Sequence, residues 1–182
     1  MTYSFGDSAE APRPVTGGDL VARVRSTPDL AESLDPDDRA GLIAALLSGF
    51  AEADADLIVA LTRAESALLA EDHISCGQDA LMACCWMLFM IGRIDDVPVV
   101  FAAKMTDFDT YCGIDSVFLL PHGLDATLGY AATHHLDDLL AWITRLNGDL
   151  DAHAQSWRDT TYFDERPGLD ATVEELAAWI RG

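Results

Sequence analysis

Lysine is almost missing from this chain of 182 residues: Lys104 is the single example, and eleven Lys and Arg together face 31 Asp and Glu, for a net charge of −20. Phosphate backbones and anionic lipid surfaces repel such a chain, so neither nucleic acid nor a membrane is expected as a partner. Long apolar runs are lacking too. The longest, Ala80 to Ile91, has 12 residues, against the roughly 20 needed to cross a bilayer. The opening residues, Met-Thr-Tyr-Ser-Phe-Gly-Asp, have no basic flank and no apolar stretch of the signal-peptide kind. Cysteine is sparse. Cys76, Cys84, Cys85 and Cys112 form no CxxC pair, which argues against a zinc knuckle or a thioredoxin-type motif. Cys84 and Cys85 sit in an apolar helical run, where they read as small buried hydrophobes suited to a reducing cytoplasm, the expected location. A Gly-rich phosphate loop, GxSxG, HExxH and an EF-hand pattern are all absent from the sequence.

What is abundant is Ala and Leu, 27 and 23 residues, against 9 Val and 8 Ile. Unbranched side chains lose less rotamer freedom in a helix, so an all-α fold is expected, in one domain. Asp35-Pro36 places a capping side chain before a proline preset for the first helical position, and Leu42, Ile43, Leu46, Leu47 and Phe50 then share a face. A second amphipathic helix follows from about Asp54 to Ala70, with Leu57, Leu61, Ala64 and Leu68 inward and Asp56, Arg63 and Glu65 toward solvent. Ser75 and Gln78 stand in capping-box relation ahead of a nearly all-apolar run to Met90, the expected central core helix, with Gly92 as its left-handed stop. Asp95 or Asp96 caps the next helix, with Pro98 in its first turn and Val99, Val100 and Ala103 inward. Helices are also expected over about 124–133, 136–146 and 149–158. A last helix starts at Thr172, boxed with Glu175.

Residues 1–18, with Pro12, Pro14, Gly17 and Gly18, read as an extended leader, and residues 19–182 as the helical domain. Gly-Leu-Asp-Ala-Thr occurs at Gly123 to Thr127 and again at Gly168 to Thr172. This offset of 45 residues falls in the HEAT range. Ala-Trp-Ile recurs at Ala141 and Ala178, in a different register. The architecture expected is therefore an array of antiparallel helical hairpins, with a HEAT-like repeat as its regular form and simple helix-start punctuation as the plainer explanation.

Chemistry-bearing residues are thin. His134-His135 followed by Asp137-Asp138 has the composition of a metal site, but adjacent helical side chains diverge by about 100° and the acids lie at a helix start, so no metal or cofactor is expected. His73 and Cys76 lack a second ligand pair. His122 reads as a turn residue and His153 as an exposed helical one. The acid pairs Asp37 and Asp38, Asp95 and Asp96, and Asp137 and Asp138 all open helices, where the macrodipole accounts for them. Lys104 to Ser116 is different. Asp107, Asp109 and Asp115 alternate with Phe108, Tyr111 and Cys112 without helical period. In the plainer reading this is a packed loop, its aromatics inward and its acids capping backbone amides. In the functional reading Asp107, Asp109, Tyr111 and Asp115 form a partner-binding surface, aromatic in contact and acidic at the rim.

The succession from Asp95 to about Ala132 (acidic capping pair, Val-Pro, Ala-Ala-Lys, Thr-Asp-Phe-Asp-Thr-Tyr-Cys-Gly-Ile-Asp, then Gly-Leu-Asp-Ala-Thr) resembles segments of small bacterial helical proteins, some of them similar to immunity proteins of toxin systems. It spans about one fifth of the chain and holds no catalytic signature. The resemblance implies a cytosolic, non-enzymatic protein that blocks a toxin by occluding it. An acidic surface suits a basic partner, although charge of this kind also serves solubility. The alternative expectation is a small hydrolase or transferase using Cys112 or an Asp/His pocket.

Overall fold

A computed structural model describes residues 17–28, 30–71, 78–159 and 172–180, with the backbone alone for 17–20. Eleven α-helices occur among them, with short 3₁₀ turns between and no strand: α1 (Gly17–Arg25), α2 (Leu30–Ser33), α3 (Pro36–Leu47), α4 (Ala55–Glu71), α5 (Gln78–Ile91), α6 (Val97–Lys104), α7 (Phe108–Gly113), α8 (Leu124–Thr133), α9 (Asp137–Ile143), α10 (Leu150–Asp159) and α11 (Val173–Ile180). The all-α expectation holds. Residues 1–16 of the expected leader lie outside the described residues, but α1 already begins at Gly17, two residues ahead of the boundary expected at Asp19.

Local chemistry accounts for several helix ends. Asp35 accepts the Asp38 N–H at 2.8 Å ahead of Pro36, and so opens α3. Gly92 ends α5 with a φ of 86°, a left-handed conformation that glycine adopts without a Cβ clash. Thr172 and Glu175 form the expected reciprocal box, with bonds of 2.8 and 3.2 Å. The Ser75 box and His73 and Cys76 lie outside the described residues.

α5 is the middle of the core. Ala80, Leu81 and the run from Ala83 to Phe89 are buried, covered by α3, α4, α6, α7 and α11 and by the 3₁₀ turn Ser116–Leu119. Phe89 stacks on Phe118 at 5.4 Å, Phe118 meets Trp157 edge-on at 5.0 Å, and Trp86 meets Phe50 at 5.6 Å. Burial pushes the thiols of Cys84 and Cys85 well above the usual range, which leaves both unreactive. α8 and α9 form a hairpin of sequence neighbours, but α11 packs on α3, across most of the chain. A solenoid repeat meets only its neighbours, whereas here α11 closes back on α3. Of the two Gly-Leu-Asp-Ala-Thr words, the first opens α8 and the described end of the second, Thr172, opens α11.

Glu65 departs from expectation. Instead of facing solvent it is 3% exposed, and it accepts from Arg39 Nε at 2.5 Å; the guanidinium of Arg39, also buried, donates as well to the Leu34 carbonyl at 2.6 Å. Burial raises the Glu65 pKa, with the Arg39 charge opposing. The helical spacing of Glu65 could not disclose this because its partner lies 26 residues away. Asp56 and Arg63 are exposed, as expected.

Candidate functional site

The stretch from Lys104 to Ser116 is held from both ends and from below. Asp107 caps α7, accepting the Thr110 N–H at 2.7 Å, while the Asp107 N–H donates to Thr110 Oγ1 at 3.0 Å. Thr110 is fully buried. At the other end, Lys104 Nζ donates to the Tyr111 carbonyl at 2.5 Å and to the Ile114 carbonyl at 2.6 Å, so terminal carbonyls that lack an intrahelical donor are satisfied by an ammonium. Lys104 is 3% exposed and lies over the rings of Tyr111 and Trp142, 5.1 and 5.4 Å from their centroids. Burial lowers its pKa, with the negative Asp115 opposing. Gln78 Nε2 donates to the Asp109 carbonyl at 2.9 Å and lies where a Cβ on residue 113 would stand, which explains Gly113.

With its polar backbone secured inward, α7 turns its large side chains outward. Phe108 is 77% exposed, Tyr111 46% and the preceding Met105 36%; Cys112 is exposed too. This overturns the packed-loop expectation in one half and supports it in the other. The acids do cap, but the aromatics point out. Phe108, Tyr111 and Cys112 are spaced i, i+3, i+4, one face of a helix too short for its period to register, and Thr110 takes the inward face between them.

The four expected site residues separate accordingly. Asp109 and Tyr111 face solvent. Asp107 is committed to its cap. Asp115 is a hub: Oδ1 accepts the Val117 N–H at 3.0 Å, and Oδ2 accepts Trp157 Nε1 at 2.9 Å and lies 3.0 Å from His153 Nε2. His153 is thus paired, although still half exposed, rather than simply solvated. Lys104, Tyr111, Cys112, Asp115, Trp142 and Trp157 line an open hollow of about 300 Å³. A second hollow, of about 500 Å³, has Pro98, Phe101, Leu136 and Leu139 for its apolar wall and His135, Asp137 and Asp138 at its rim.

In the sequence Lys104 stands out as the lone lysine and as the start of the aperiodic stretch, and neither shows its part as the clamp of α7. The available signal was a single ammonium at the end of an apolar helix. Trp142 and Trp157 were missed as well, since only the fold brings them to Asp115 and Lys104. Elsewhere, Arg93 joins Asp56 at 2.7 Å and Asp96 at 3.3 Å; burial raises the pKa of Asp96. Among the described residues, no group of three or more His, Cys, Asp and Glu is placed to hold a metal ion, and no helix is long and apolar enough to cross a membrane.

Comparison with known protein families, with curated proteins and with solved structures finds no match to this chain.

Proposed function

We propose that this protein is a non-enzymatic binding module that docks a basic protein through the exposed face of α7, and that in its specific form it is an immunity protein neutralising a bacterial toxin. One observation carries the reading: Phe108 and Tyr111 stand in solvent on a helix whose backbone is clamped by Lys104, Asp107 and Gln78. Exposed aromatics on a preorganised support have little freedom left to lose on binding, the character of interface anchors. Net charge supplies the second part. At −20 the chain favours a cationic partner and speeds its approach at low salt. The resemblance of the segment from Asp95 to Ala132 to immunity-type proteins supports the specific form.

The test is capture of a partner from lysate of the native cell by wild type and by Phe108→Ala/Tyr111→Ala, at low and high salt. A basic protein retained by wild type at low salt, lost from the double variant, and toxic to cells unless this protein is co-expressed would bear out the reading. Equal retention by both proteins would remove α7 from it.

The exposed Cys112 thiol, in one hollow with Lys104 and Asp115, favours a second reading, a small hydrolase or transferase with Cys112 as nucleophile. Against it, His153 pairs with Asp115, and among the described residues no histidine lines the hollow that holds Cys112. Turnover of an ester or thioester panel that disappears in Cys112→Ala would establish the enzyme.

A further inference from the structure

The two hollows lie on either side of one aromatic pair. Phe101 of α6 lines the larger and Trp142 of α9 the smaller, and these rings meet edge-on, their centroids 6.1 Å apart. Trp142 in turn shares the Lys104 ammonium with Tyr111 of α7. Phe108, Tyr111 and Cys112 of α7, the first hollow, the Trp142–Phe101 pair and the second hollow thus follow one another through shared lining residues and ring contacts.

The charges along this face are of one sign at the surface. Lys104, its cation, is buried and committed to two carbonyls. The carboxylates of Asp109, Asp137 and Asp138 are exposed, and none has a hydrogen-bond or ion-pair partner among the described residues, unlike those of Asp54, Asp56, Asp107 and Asp115. Free carboxylates therefore occur on α7, at Asp109, and at the second hollow, at Asp137 and Asp138. A second copy of a chain carrying −20 would bring the same acids to the same place and be repelled.

Building on the binding reading above, we propose that the second hollow is the other half of the partner site, and that the occupant of the whole face is an extended, basic protein segment. Its apolar side chains lie on Phe108, Tyr111 and the Phe101–Trp142 ridge, and its arginine or lysine side chains meet Asp109 at one end and Asp137 and Asp138 at the other. Cationic side chains with aliphatic stems suit such a strip, because the stem covers the rings while the charged head reaches the carboxylates. His135 belongs to the rim of the second hollow. Its φ of 55° closes α8 in the left-handed conformation where glycine is usual, so glycine there is compatible with the backbone.

The probe is a fluorescein-labelled, end-capped eight-residue peptide of alternating Arg and Leu, compared with one of alternating Ser and Leu. Eight extended residues span about 27 Å. Binding is followed by fluorescence anisotropy with the full chain. The Arg peptide is expected to bind and the Ser peptide to fail. Phe108→Ala and Asp137→Asn/Asp138→Asn are each expected to weaken the Arg peptide at least about fivefold. Glu32→Gln/Glu52→Gln, on α2 and on the turn before α4, removes the same charge elsewhere and is expected to change binding less than twofold. His135→Gly, which the backbone accommodates, checks the second hollow without unfolding it and is expected to weaken binding about twofold.

If Phe108→Ala weakens binding and the Asp137/Asp138 variant does not, the second hollow is no part of the site and the inference falls while the α7 reading stands. If neither weakens it, both fall. Equal weakening by the Glu32/Glu52 variant would reduce the effect to bulk charge and overturn the inference. Sedimentation showing self-association abolished by Phe108→Ala would put a second copy on the face, overturning it as well.

Discussion

Among the described residues two cations are buried, and they are treated differently. Arg39, between α3 and α4, meets a carboxylate: Glu65 neutralises it, and the Leu34 carbonyl takes another donor. Lys104, at the end of α6, bonds no carboxylate; it spends its protons on the carbonyls of Tyr111 and Ile114 beneath two aromatic rings. The first arrangement joins two long helices across the interior. The second fastens a six-residue helix by its C-terminal carbonyls, and because that anchorage is made by backbone, the side chains of α7 remain available to face outward. A buried charge paired with its opposite acts as a strut, whereas a buried charge on carbonyls organises a display.

The contrast can be broken most directly at the strut. Arg39→Ala or Glu65→Ala leaves an uncompensated charge inside and is expected to cost about 4 kcal/mol in urea unfolding, while Arg39→Met/Glu65→Leu recovers most of that loss. A cost no greater than that of a surface substitution would show that the pair is not a strut. Lys104→Met is expected to cost about 2 kcal/mol. Its signature is local: hydrogen exchange accelerates at the Tyr111 and Ile114 amides, which bond to Asp107 and Thr110, while α4 stays protected. Uniform acceleration would instead make Lys104 a second strut.

The same two sites differ in sign against pH. Burial raises Glu65 above its ordinary 4.5, so its contribution to stability is complete below that value and is lost as pH rises through the raised folded pKa. Burial lowers Lys104 below 10.5, so the native state sheds that proton before the unfolded chain does, and stability rises as pH climbs from the folded value toward 10.5. Unfolding of wild type beside Glu65→Gln and Lys104→Met, over acid and alkaline ranges respectively, isolates each contribution. Opposite slopes are expected.

Smaller effects sharpen the display side. Asp107→Ala removes the α7 cap and is expected to cost about 1 kcal/mol in thermal or urea unfolding. Phe108→Ala, at a residue mostly in solvent, should leave stability within about 0.5 kcal/mol of wild type. A larger loss would mean that Phe108 serves packing after all.

Much of this fold is legible residue by residue. The Asp35-Pro36 start of α3, the Gly92 stop of α5 and the Thr172–Glu175 box of α11 each depend on groups within a turn of one another. The candidate site is legible only in part. Asp107 announces its cap, and Tyr111 and Asp109 are exposed as a recognition surface requires. The hub at Asp115 is not legible, because Trp157 comes from 42 residues away. Nor is the burial of Glu65, whose helical position alone points to solvent.

Composition and neighbouring residues were enough to decide that the chain is helical, where α3 and α11 begin and α5 ends, and that its net charge is strongly negative, because propensity, capping and net charge act locally or as sums. Packing decided which charges went inside and which aromatics stayed out. A buried ion or a solvent-facing ring depends on groups brought together from distant parts of the chain, and those meet only after the helices have packed.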